Sequence, residues 1–118
     1  MRAVEGVSFI INRGETFVLL GESGCGKSIT ALTIMRLLPH PARVVSGNVR
    51  LNGDDLLRLP EKAMRAVRGA RIAMIFQEPQ TSLNPVLSVG TQIGEALTQH
   101  QRLTGQARRK RILELLYA

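Results

Sequence analysis

Two short apolar runs open the chain, residues 7–11 (VSFII) and 16–20 (TFVLL), separated by NRGE. A glycine in so short a gap predicts a turn, so both runs read as strands, the second ending at Gly21. From Lys27 the spacing changes. Ile29, Ala31, Leu32, Ile34, Met35, Leu37 and Leu38 put apolar residues nearly all round a helix. That pattern predicts a helix buried on most of its surface, ended by Pro39 and Pro41. VVSGNVRLNG has strand-like segments around Gly47 and closes on the turn residues Asn52 and Gly53. LPEKAMRAVRG reads as a short helix with Pro60 in its first turn and Gly69 just past its end. RIAMIF reads as a buried strand, and QEPQTSLNP, with two prolines, as a loop. Two helices follow. SVGTQIGEALTQH has Ser88 as its N-cap. TGQARRKRILELLYA carries Ile112, Leu113, Leu115, Leu116 and Tyr117, an apolar face that needs a partner.

The stretch between the second predicted strand and the first helix is GESGCGKSIT, residues 21–30. Gly21, Gly26, Lys27 and Ser28 fit G-x-x-x-x-G-K-[ST], in the strand-before, helix-after context that a phosphate loop requires. Gly21, Gly24 and Gly26 have no Cβ, so they accept positive φ and let successive N–H groups approach an anion. The helix that starts near Lys27 turns its positive dipole end to the same place, around Ile29. Lys27 offers an ammonium to the β- and γ-phosphates, and Ser28 a hydroxyl to Mg²⁺. Ser23 and Cys25 read as small spacers, with a reactive thiol at Cys25 as the alternative. Glu22 belongs to the loop, but its carboxylate should point away from a polyphosphate.

Composition narrows the partners. The chain has 118 residues, 44% of them hydrophobic, which suits one small globular domain. Aromatics make up 3%, with no Trp, which argues against stacking on single-stranded nucleic acid. The net charge of +7 suggests an anionic partner such as a nucleotide. Much of that charge sits in RLTGQARRKRILELL, which reads as a solvated helix face. The single cysteine excludes an intramolecular disulfide. No apolar run approaches the roughly 20 residues that span a bilayer.

Gln77 follows RIAMIF and opens the QEPQTSLNP loop. A glutamine at a strand end near phosphates can ligate Mg²⁺ or orient a water without adding negative charge; the alternative is an ordinary polar loop residue. At this point the chain resembles the ATP-binding subunit of an ABC transporter over nearly all its length. GETFVLLGESGCGKS resembles the family's strand and Walker A loop, and IFQEPQTSLNP its Q-loop. The flanks are similar to the oligopeptide and dipeptide importer branch, in which nickel importers are the alternative. Another phosphate-loop kinase or NTPase is the more distant alternative.

The resemblance implies an α/β P-loop NTPase fold, present in part. Residues 1–85 would hold the antiparallel β-subdomain, the Walker A loop, the start of a RecA-like core and the Q-loop. Residues 86–118 would begin the helical subdomain. It implies ATP and Mg²⁺ as ligands, with the nucleotide on residues 21–29 and the metal on Ser28 and Gln77. Gln77 would also couple the site to transmembrane permease subunits. A second ATP-binding domain, an indirect contact with a substrate-binding protein, no role for nucleic acid, and a peripheral place on the cytoplasmic face of the membrane complete the expectation. LSVGTQ, residues 87–92, imitates the family's LSGGQ signature but departs at the first glycine and lies too near Gln77; it reads as an ordinary helix start. No strand ending in Asp-Glu and no histidine following one is present. The adenine-stacking aromatic is not evident either, since Phe9 reads as a strand residue. The chain therefore reads as the front part of a longer ATPase domain, expected to bind nucleotide weakly and not to turn it over.

Overall fold

The computed structural model describes residues 2–118 and divides into two compact units, one running to Leu59 and the other Pro60–Ala118. In the first unit a turn joins residues 7–11 and 16–20. Glu15 N–H donates to Asn12 O at 3.1 Å, and Gly14 takes φ 76°. The turn is where NRGE predicts it. Phe9 and Phe17 stack across it with ring centroids 4.8 Å apart, so Phe9 is engaged as a packing residue. The flanking runs are not strands, which corrects the sequence expectation. A strand is defined by backbone bonds to a neighbour, and none is made along either run among the described residues. Ile10 is 81% exposed and Leu20 85%.

Helix α1, Lys27–Met35, starts where the motif requires. It is half-buried rather than buried all round, and only Met35 reaches the core. Its end also differs from expectation: Arg36, not a proline, terminates it. Arg36 takes the left-handed conformation (φ 53°), and the N–H of Leu37 donates back to Leu32 O at 2.9 Å, the six-to-one bond of a Schellman motif. The Arg36 guanidinium then reaches Leu56 O at 3.1 Å and Leu59 O at 2.7 Å. A non-glycine residue costs about 1 kcal/mol in this conformation, and bonds from a charged donor offset it at about 1.5–3 kcal/mol each.

Strands β1 (Arg50–Leu51) and β2 (Asp54–Asp55) form a two-stranded antiparallel hairpin. Asn52 and Gly53, with φ 50° and 92°, make its two-residue turn, as the Asn-Gly pair predicts. Leu56 N–H extends the ladder to Val49 O at 2.7 Å, and Leu56 is fully buried.

In the second unit, helix α2 is Glu61–Val67, with Pro60 at its N-cap and Gly69 (φ 86°) just beyond its end. A Cβ on Gly69 would lie 2.7 Å from His100 Nε2, so a glycine is needed here for close approach as well as for conformation. Met64 and Val67 are buried. RIAMIF is the second correction. Only Ile72 makes a bridge, with Arg68, and Ile75 is 91% exposed. Gly69 N–H bonds Ile72 O at 2.8 Å, and the N–H groups of Arg71 and Ile72 turn back to Val67 O at 2.9 and 3.2 Å. A short 3₁₀ helix, Pro79–Ser82, lies inside the predicted loop.

Helices α3 (Val89–Gln101) and α4 (Gly105–Leu116) form an antiparallel pair. Ser88 caps α3 as predicted, its hydroxyl accepting from Thr91 N–H at 3.1 Å. Gly90 and Gly94, one turn apart, leave room for Ile112, whose Cδ1 would be 3.3 Å from a Cβ on Gly94. Arg108 lies over the same glycine and donates to Thr98 Oγ1 at 3.2 Å. The rest of the α4 apolar set, Leu113, Leu115, Leu116 and Tyr117, is exposed. Among the described residues no helix is long and apolar enough to cross a membrane.

Candidate functional site

The loop before α1 is shaped by its glycines. Gly24 and Gly26 take φ 82° and 95°, a region that favours glycine. Gly21 is not in that region; its role is space, because a Cβ there would run into Cys25 Sγ. A Cβ on Gly26 would come within 2.7 Å of Val4 Cγ2 and 3.1 Å of Ala3 O. Both ends of the loop are therefore sterically tight, while Gly24 faces open space. Cys25 N–H closes a turn onto Glu22 O at 3.2 Å.

Gly26 is the N-cap of α1, and no side chain caps the helix. Nor does an acidic residue occupy its first turn. The first N–H groups of a helix have no intrahelical partner, and here neither a capping oxygen nor a carboxylate competes for them. Thr30 instead returns both its N–H (2.9 Å) and its hydroxyl (2.8 Å) to Gly26 O, which fixes the first turn. The loop end of α1 thus offers N–H groups and a positive dipole end to an anion.

Lys27 arches back over the loop. Its ammonium donates to Gly21 O, to Glu22 O at 2.6 Å, and contacts Cys25 Sγ at 3.4 Å. All three partners are uncharged acceptors or a thiol, so the positive charge is held in place without an ion pair. Ser28 is exposed, and its hydroxyl makes no hydrogen bond among the described residues. Glu22, Ser23 and Cys25 are exposed, and Ile29 is half-buried in the first turn of α1. This donor set fits a polyphosphate: open N–H groups, a cation free of carboxylates, and a hydroxyl positioned one residue later. No group of three or more His, Cys, Asp or Glu side chains that could hold a metal occurs among the described residues.

Gln77 lies in the second unit. It is exposed, and with Phe76, Glu78, Thr81 and Ser82 it lines an open depression of about 590 Å³. Thr81 stiffens the far wall, its N–H and hydroxyl both donating to Glu78 O at 3.1 and 2.8 Å. Residues 21–29 are thus gathered in one loop and helix start, and Gln77 in a separate loop of the other unit.

Two residues that sequence reasoning passed over take part in holding these loops. Arg36 anchors the far end of α1. Gln92, the last residue of the LSVGTQ stretch, reaches back to the loop after Gln77: its Oε1 accepts from Asn84 N–H at 2.9 Å, and its Nε2 donates to Asn84 O and Leu87 O, both at 3.0 Å. Its targets are backbone atoms, so no side-chain spacing in the sequence announces this contact.

Residues 4–117 match the model of the ABC transporter family. The dipeptide transport ATP-binding protein DppD of Bacillus subtilis is 52% identical over 98% of this chain and 35% of its own length. The peptidoglycan transport ATP-binding protein YejF of Agrobacterium fabrum is 56% identical over 97% of this chain and 21% of its own. The oligopeptide transport ATP-binding protein OppD of Bacillus subtilis is 47% identical, over 98% and 33%. The chain spans about a third or less of the length of these relatives. With a family match over almost every residue, the chain belongs to the ABC transporter family.

Proposed function

We propose that the protein carrying this chain is the ATP-binding component of a transporter that energises import of peptides. The observation that carries the reading is the loop itself: an uncapped helix start behind two positive-φ glycines, with Lys27 held over it by neutral acceptors. The names of the relatives, which are transport ATP-binding proteins for dipeptides, oligopeptides and peptidoglycan, support the substrate class.

On this reading the N–H groups of residues 21–29 hold the nucleotide phosphates. Lys27 exchanges its neutral loop carbonyls for the anionic β- and γ-phosphate oxygens, so that donor and acceptor are both charged. The Ser28 hydroxyl and the Gln77 side-chain oxygen would hold Mg²⁺, or Gln77 would orient the attacking water. Mg²⁺, when bound, neutralises charge developing on the transferred phosphoryl group. Residues 1–85 then form the nucleotide-holding part of the ATPase domain, and residues 86–118 open its helical part. The loop after Gln77 meets the permease subunits, a second ATP-binding domain completes the site, and a substrate-binding protein acts at one remove. The assembly works at the cytoplasmic face of the membrane.

Titration calorimetry with MgATP tests the reading. Binding that weakens about ten- to a hundredfold on Lys27→Ala is expected, from the general worth of bonds to a charged group. Equal affinity in the two proteins overturns it.

A further inference from the structure

We propose that Gln92 is a positioning residue that locks the segment after Gln77 onto α3, so that loop and helix pair move as one piece. The inference rests on the reading of Gln77 as the start of a coupling loop.

The Gln92 amide pairs with both polar groups of the Asn84 backbone, accepting at 2.9 Å and donating at 3.0 Å, much as a neighbouring strand would. Its second Nε2 proton goes to Leu87 O at 3.0 Å. The remaining N–H groups of this short stretch are also satisfied. Val86 N–H bonds Asn84 Oδ1 at 3.1 Å, and Leu87 N–H bonds Asn84 O at 3.2 Å. Pro85 has none to satisfy.

On its other side Gln92 is fixed within the helix, its own N–H on Ser88 O at 3.2 Å. The helix is in turn packed against α4 through Gly90, Gly94 and Ile112. One side chain therefore spans from the loop backbone to a two-helix body within the same unit. A displacement of that body carries residues 84–87 with it, and a force on those residues is delivered to α3.

The chemistry demands a neutral amide. One oxygen must accept while one nitrogen donates twice. Glutamate has nearly the same shape but only accepts, so it would set a carboxylate against the Asn84 and Leu87 carbonyls. Methionine keeps the length and loses all three bonds.

The test uses the full-length protein assembled with its permease partners in lipid nanodiscs. Amide hydrogen exchange across residues 83–88, MgATP affinity, and the ratio of permease-stimulated to basal ATP hydrolysis are measured for the wild type, Gln92→Met and Gln92→Glu. In both variants exchange at Asn84 should rise about tenfold, and the stimulated-to-basal ratio should fall about fivefold or more. MgATP affinity should stay unchanged, a split that general loss of structure does not produce. Wild-type exchange in Gln92→Glu, or faster exchange with an unchanged ratio, overturns the proposal. Lys27→Ala runs alongside: if it impairs MgATP binding while the Gln92 variants behave as wild type, the lock fails and the nucleotide reading stands. If Lys27→Ala binds MgATP normally, the nucleotide reading falls and this inference falls with it.

Discussion

The loop before α1 and the loop after Gln77, one in each unit, are built on opposite plans. The loop before α1 holds itself: Lys27 bonds carbonyls five and six residues back, and its shape is written in glycine φ values. The loop after Gln77 is held from outside, by a side chain of the helix that follows it. A self-contained loop keeps its form wherever its helix is carried and presents a ready anion cradle. An externally held loop takes its form from its neighbour and can pass movement to it. The first plan suits holding a fixed shape, and the second suits passing movement to a neighbouring helix.

Lys27→Ala should give the largest effect, the loss of MgATP affinity described above. It should do so without lowering the melting temperature appreciably, because the bonds removed are exposed. A large fall in thermal stability would mean that Lys27 braces the first unit rather than serving a ligand. Next comes a pair of glycine substitutions. Gly26→Ala meets both an unfavourable φ and the Val4 and Ala3 atoms, at 2.7 and 3.1 Å. It should cost about 2–4 kcal/mol in chemical denaturation. Gly24→Ala has the same φ problem with nothing within 4 Å, and should cost about 1–2 kcal/mol. Equal costs would break the claim that the loop is tight at Gly26 and open at Gly24.

On the externally held side the effects should be smaller. Ser88→Ala removes the α3 cap and should cost about 1 kcal/mol by denaturant titration. It should leave MgATP affinity as it was; a changed affinity would show that α3 reaches the phosphate loop energetically. Smallest of all, Asn84→Ala removes only the side-chain bond to Val86 N–H. About 0.5–1 kcal/mol is expected, read as faster exchange at Val86 alone. Loosening spread over residues 84–88 would instead give Asn84 the role assigned to Gln92.

What could be read in advance follows the same division. The local shape of residues 21–28 was legible because its determinants lie within a few positions: glycines for conformation and a helix start at Lys27. The Asn52-Gly53 turn and the Ser88 cap were legible for the same reason. The runs at 7–11, 16–20 and 71–76 were misread as strands, because apolarity and β-branching mark a segment fit to pair, while a strand exists only where backbone partners are met. Those runs lie largely at the surface, with apolar side chains such as Ile10 and Ile75 exposed. Gln92 was illegible for a subtler reason. Its targets are backbone atoms, which carry no residue-specific trace, so no spacing of side chains announces them. Arg36 is similar: nothing in a lone arginine foretells a left-handed helix end tied to two carbonyls.

That tie at Arg36 sets a mechanical asymmetry. The nine residues of α1 make a rod of about 13 Å, tied at its C-terminal end to carbonyls distant in sequence and at its loop end by hydrogen bonds to its own loop. The first tie fastens the rod to the body of its unit and the second travels with the helix, so a ligand gripping the loop end would give the rod a second fixed point.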